Sequence, residues 1–206
     1  MAWLLLLGVA EAQPANEHAT TSQPLSSTLQ VAATRSQARD VAPDYRIDAD
    51  GGGANPRHDL TLTFTSQGAR VAGRAGAFSL RLERFGRGDG ETVRQTTPRI
   101  DGGWVEYDRG AGLREWFVNL PQGVEQGWTV TNRPAGAGPL RLALDTDSPP
   151  DRVDDKRLVW AGLVYHGLVA KDANGRTLPS RWAYDDARLR IEVDDSNAAY
   201  PILIDP

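Results

Sequence analysis

The chain has 206 residues and no cysteine, which removes disulfides, thiolate catalysis and cysteine-based zinc sites; its length suffices to bury a core without such staples. A net charge of −4 argues against nucleic-acid binding, which wants a basic face. Of the 23 basic residues only Lys156 and Lys171 are lysine, the codon bias of a GC-rich genome rather than an arginine-based binding device.

The N-terminus reads MAWLLLLGVAEAQPANEH. Residues 2–10 are apolar, and Ala10-Glu11-Ala12 fits a small-x-small cleavage site, so residues 1–12 read as a signal-peptide-like leader, although no Lys or Arg precedes the run. The run is too short to span a bilayer. A buried N-terminal strand or helix is the alternative. Residues 13–40 are rich in Ser, Thr, Ala, Gln and Pro and read as a polar disordered linker. A short helix within 28–39 stays open, without a strong apolar stripe.

From residue 41 the texture changes. HDLTLTF alternates Leu60, Leu62 and Phe64 against Thr61 and Thr63, the period of a half-buried strand. SQG at 66–68 turns the chain, and 69–72 can run back. FSLRLERF places Phe78, Leu80 and Leu82 on one face until GRGDGE breaks it. WVEYD and LREWFVN flank RGAG as a hairpin, and GWTVT comes next. PLRLALD alternates Leu140, Leu142 and Leu144; RLRIEVD alternates Leu189, Ile191 and Val193. The run 158–170 reads as two strands, or one bent at Gly162 or Gly167. DANG at 172–175 is a turn, and YPILID is the last strand, with Pro201 suggesting a sheet edge or a strand entry. Trp104, Trp116 and Trp128 recur at strand-plus-turn spacing. No segment sustains a helical period. The fold class is therefore all-β: an antiparallel β-sandwich, or two packed sandwich-like sheets, of about ten to twelve short strands over residues 41–206, ending at a domain boundary.

Several constellations are candidates for chemistry. Glu106, Glu115 and Glu125 lie beside tryptophans, and two such carboxyls could flank a glycosidic bond; the plainer reading sets Glu106 and Glu115 outward, balanced by Arg109 and Arg114. Asp48-x-Asp50-Gly51 and Asp172-x-Asn174-Gly175 each look like the second half of a calcium loop, but Arg46 and Ala170 stand where the first ligand belongs, and both are ordinary turn sequences. No other cofactor is implied. His166 reads as a hydrogen-bonded strand histidine, and no Gly-x-Ser-x-Gly elbow is present. Trp104, Trp116 and Trp128 are candidates for a sugar-stacking platform, against the plainer reading of core packing. No convincing catalytic set emerges, and the expectation is a non-enzymatic protein.

Four stretches, ANPRHDLTLTF (54–64), GGWVEYDRGAGLREWFVNLPQGVEQGWTV (102–130), YHGLVAKDANGRTLPSRWAY (165–184) and LRIEVDDSNAAYPILIDP (189–206), carry a resemblance. Together they resemble the N-terminal module of large secreted bacterial proteins in which the module precedes an array of FG-GAP or SBBP-type β-propeller repeats. The segment between Leu144 and Leu158 is shorter than that pattern, as though a hairpin were missing. The resemblance implies an exported or cell-surface, all-β structural or adhesive module that caps or presents a repeat array in the same polypeptide, and it brings no catalytic residues. The alternatives are a carbohydrate- or matrix-binding sandwich using exposed tryptophans and, less supported, a glycoside hydrolase-like domain. No nucleic-acid partner and no transmembrane span are expected.

Overall fold

The computed structural model describes residues 26–74, 76–154, 157–160, 163–185 and 188–205, and the leader expected at 1–12 lies outside them. One helix, α1 (Ser27–Arg39), precedes the strands. The first strands are β1 (Gly52–Asn55), β2 (Leu60–Thr65), β3 (Gly68–Gly73), β4 (Gly76–Gly86), β5 (Glu91–Thr92) and β6 (Arg99–Asp101). Next come β7 (Trp104–Gly110), β8 (Leu113–Leu120), β9 (Gly123–Val130), β10 (Leu140–Thr146), β11 (Arg152–Asp154) and β12 (Arg157–Trp160). The last are β13 (Leu163–His166), β14 (Val169–Lys171), β15 (Thr177–Leu178), β16 (Ser180–Asp185), β17 (Arg188–Val193) and β18 (Ile202–Asp205).

All the pairings are antiparallel, and they form three sheets. The first runs β1-β2-β3-β4-β10-β17-β16, with β5 added beside β4; the second runs β15-β14-β18-β9-β8-β7-β6. The alternating apolar residues close these two sheets into a sandwich. Leu62, Phe64, Phe78, Leu142 and Ile191 from the first meet Val105, Phe117, Trp128 and Ile204 from the second in one buried cluster. The Phe64 and Phe117 rings cross the interface with centroids 5.2 Å apart. The third sheet, β11-β12-β13, covers the sandwich by stacking Trp160 on Phe78 at 4.9 Å and setting Tyr165 edge-on to Trp182. The all-β sandwich-like fold expected from periodicity is thus present.

Three details correct the sequence reading. There are eighteen strands among the described residues rather than about ten to twelve, because β1, β5, β6, β11, β14 and β15 are too short to display alternation. The run 158–170 makes three strands, broken around Gly167, and β11 supplies a hairpin partner in the segment that looks short. Pro201 marks a strand entry but not an edge: β18 is paired on both sides, Ile204 with Trp128 of β9 and Ala170 of β14.

Residues 27–39, part of the stretch expected as a polar linker, form α1, the short helix left open within 28–39. Ser26 caps it by accepting from the Leu29 N–H, an alanine-rich run favours the helix, and Arg39 suits its last turn. A weak apolar stripe suffices because the helix lies on the outer face of the second sheet. There Ala38 and Val31 meet Trp104, Trp116, Val118 and Leu203 in a second buried cluster. Its two ends are tied down: Ser27 Oγ donates to the Pro201 carbonyl at 3.2 Å, and the Gly103 N–H donates to the Ala38 carbonyl at 2.8 Å. Among the described residues no helix is long and apolar enough to cross a membrane.

Candidate functional site

The motif-bearing meander β7-β8-β9 places its side chains on two faces. Glu115 of β8 points inward, into the sandwich, and is fully buried. Arg109 donates to it through Nε at 2.7 Å, and Gln126 through Nε2 at 2.7 Å; Tyr165 in turn donates to Gln126 at 2.7 Å. Arg109 stacks over Tyr107, 4.1 Å from the ring centroid, and also donates to the Ser66 carbonyl at the turn of the opposite sheet. The chain of polar groups therefore binds both large sheets and β13 around one ion pair. Burial raises the Glu115 carboxyl, and the opposing Arg109 charge only partly offsets it. The expectation of an outward Glu115 balanced by arginine is right in its partner and wrong in its direction.

Glu106 lies on the outer face, 3.2 Å from Arg114 and 3.6 Å from Arg35. Glu125, alternating with inward Gln126, shares that face. The sheet thus stands between Glu115 and the other two acids, so it cannot act across one bond with either of them. Burial pushes the Glu125 carboxyl up to about 7 and the Asp205 carboxyl well above its ordinary range, the latter aided by Glu125.

The expected tryptophan platform is not on the surface. Trp104, Trp116 and Trp128 are 1%, 2% and 0% exposed. Trp128 belongs to the core between the sheets, whereas Trp104 and Trp116 stack at 5.2 Å beneath α1. Trp116 reaches across β9 over Gly127, where a Cβ would fall 2.2 Å from the ring. Trp160 and Trp182 are also buried, so no tryptophan among the described residues offers an indole face to solvent.

The half calcium loops are turns. Asp172 is buried, and its carboxylate accepts the N–H groups of Asn174, Arg176 and Ala199, tying the β14–β15 turn to the segment before β18. Burial alone would raise this carboxyl, but those donors hold it below the usual range. Asn174 contributes its backbone N–H to this turn. Asp50 accepts the Gly52 N–H, and Asp48 closes the same turn through its backbone. Among the described residues no three His, Asp or Glu side chains converge on a metal position.

An open cleft of about 830 Å³ lies where β16 and β17 meet the loop after β9, and no sequence signal marks it. Its floor is built on Asp195, which is 1% exposed. Arg87 holds Asp195 with two hydrogen bonds of 2.7 Å, Arg133 donates at 3.1 Å, and the Tyr200 hydroxyl donates as well. A second knot forms at Glu192, shared by Arg141 at 2.9 Å and Arg181 at 2.7 Å. Burial would raise both carboxyls, yet the arginines, with Tyr200 at Asp195, hold them below their ordinary ranges and so ionised. No local motif can reveal this cleft, because its three lining arginines, Arg87, Arg133 and Arg181, come from separate stretches of chain.

Comparison with protein-family profiles, with curated proteins and with solved structures found no match.

Proposed function

We propose that this chain is a non-enzymatic, exported structural module that caps or presents a downstream array of β-propeller-type repeats. One observation carries the reading: the residues of the most distinctive phrase, VEY through EQGWT, are spent on architecture. Tyr107 and Glu115 enclose Arg109, and Gln126 links Glu115 to Tyr165. Trp116 occupies the space that Gly127 leaves. Asn119 bonds Asn55 at 2.8 Å and the carbonyls of Tyr45 and Ala54, fastening β8 to β1. A phrase that specifies packing in this way supports a scaffold role over a reaction. The YPILIDP segment adds to it, since β18 is held between two neighbours in the middle of a sheet and offers a firm attachment. A cap suits an array whose first blade would otherwise expose an unpaired edge.

The gene itself supplies the first test. An in-frame continuation past Pro206 into repeats is expected. A stop codon at that point, with a fully folded isolated chain, overturns the proposal.

A further inference from the structure

The cleft over Asp195 and Glu192 separates its charges by depth. Three guanidiniums line it, those of Arg87, Arg133 and Arg181, against the carboxylates of Asp195, Glu192 and Asp194, while Arg141 braces Glu192 from outside the lining. The lining is balanced overall, but Glu192 and Asp195 are buried, so the charges that reach solvent are those of Arg133, Arg181 and, on the rim, Asp194. The outer cations are accessible: the side chains of Arg133 and Arg181 are 42% and 64% exposed, while their carboxylate partners are 1% and 10% exposed. Each outer arginine is therefore aimed by a buried carboxylate from behind, which pre-orders a donor that would otherwise cost rotamer entropy to fix. Arg133 is braced further by donating to the Ala198 carbonyl and lying over the Tyr200 ring.

We propose that this cleft binds an acidic saccharide, with Arg133 and Arg181 each receiving a carboxylate of a uronate chain. Glu192 and Asp195 are three residues apart, hence no more than about 10 Å along the chain, so the two knots can engage nearby acidic units of one ligand. The lining favours a hydroxylated ligand over a peptide. It holds Ser196 and Asp194 for hydroxyls, together with Gly136, Gly138 and two prolines, but neither an aromatic nor a large aliphatic side chain that would anchor a peptide. The site is independent of the repeat-capping role and would survive its failure. It moves sugar recognition from the buried tryptophans to a different surface and a different chemistry.

The test titrates the full chain with a linear oligomer of galacturonic acid, using calorimetry or NMR shifts. Saturable binding is expected, falling steeply as sodium chloride is raised, because the contacts are ionic. Arg133→Gln and Arg181→Gln should each weaken it about tenfold, the worth of a charge-assisted hydrogen bond. Each variant leaves its carboxylate another arginine, and unchanged melting curves confirm that the fold survives. Arg74→Gln, 90% exposed and outside the cleft, is the control and should bind as the parent does. The proposal falls if the acidic oligomer does not bind, if a neutral glucan oligomer binds equally, or if Arg74→Gln weakens binding as much as Arg181→Gln. It falls also if polyglutamate binds more tightly than the saccharide, which would make the ligand an acidic peptide.

Discussion

Replacing Arg109 by methionine removes the only cation bonded to Glu115 among the described residues and leaves a carboxylate at zero exposure. Breaking a buried pair from one side costs about 3–5 kcal/mol, because the remaining charge keeps its full desolvation penalty. For a domain of this size that corresponds to a melting temperature lower by about 6–20 °C. The pH dependence has a definite sign. Glu115 already titrates above its ordinary range through burial, and loss of Arg109 drives it higher. Between the unfolded and folded values the native state then binds more protons than the unfolded chain, so stability falls as pH rises and recovers as pH drops. The deficit of Arg109→Met relative to the parent should therefore be largest near neutrality and shrink toward about pH 5. Urea unfolding at both pH values reads it directly. The double variant Arg109→Met/Glu115→Met should recover at least half of the loss, since two apolar groups leave no buried charge. A deficit under about 1 kcal/mol, a deficit indifferent to pH, or a double variant less stable than the single one would refute the reasoning.

Other consequences are equally open to measurement. Gly127→Ala places a methyl where Trp116 lies, and with Trp116 stacked on Trp104 it should cost about 1–3 kcal/mol in urea unfolding and change the near-ultraviolet circular dichroism. Ala38→Glu should lift α1 and expose Trp104 and Trp116, seen as red-shifted fluorescence and stronger acrylamide quenching; unchanged quenching would mean that the helix is not their cover. Asp195 has its carboxyl lowered in the fold, so it adds stability above the unfolded value that is lost as pH falls through the folded one. Asp195→Asn should be less stable near neutrality and show a shallower acid-induced loss. Calcium and chelator should leave the melting temperature unchanged, because the Asp172 carboxylate already accepts three backbone N–H groups and the Arg176 guanidinium; a rise with calcium would contradict that.

The sandwich is legible in the sequence because period-two alternation survives in β2, β4, β10 and β17, where one face is solvent and the other core. It fails in β8, whose outer face is covered by α1, so that Trp116, Val118 and Leu120 are buried together with Phe117. The same cover hides the helix, since a 13-residue segment that docks through Ala38 and Val31 needs little hydrophobicity of its own. The tryptophan spacing does mark strand plus turn, but burial belongs to the second sheet's two covered faces and cannot be seen in a single strand. Glu115 carries no inward signal, because a charged residue with an arginine on the adjacent strand resembles a surface pair until the register is known. The arginine cleft is invisible for a plainer reason: Arg87 and Asp195 are 108 positions apart.

A scaffold for repeats on its C-terminal side is the role proposed for this chain, and melting the natural polypeptide with and without residues 26–205 tests it most directly. The repeats should lose melting temperature or aggregate when the sandwich is deleted, and restoring it in place should recover both. Repeats that melt and stay soluble identically without the sandwich would contradict the account.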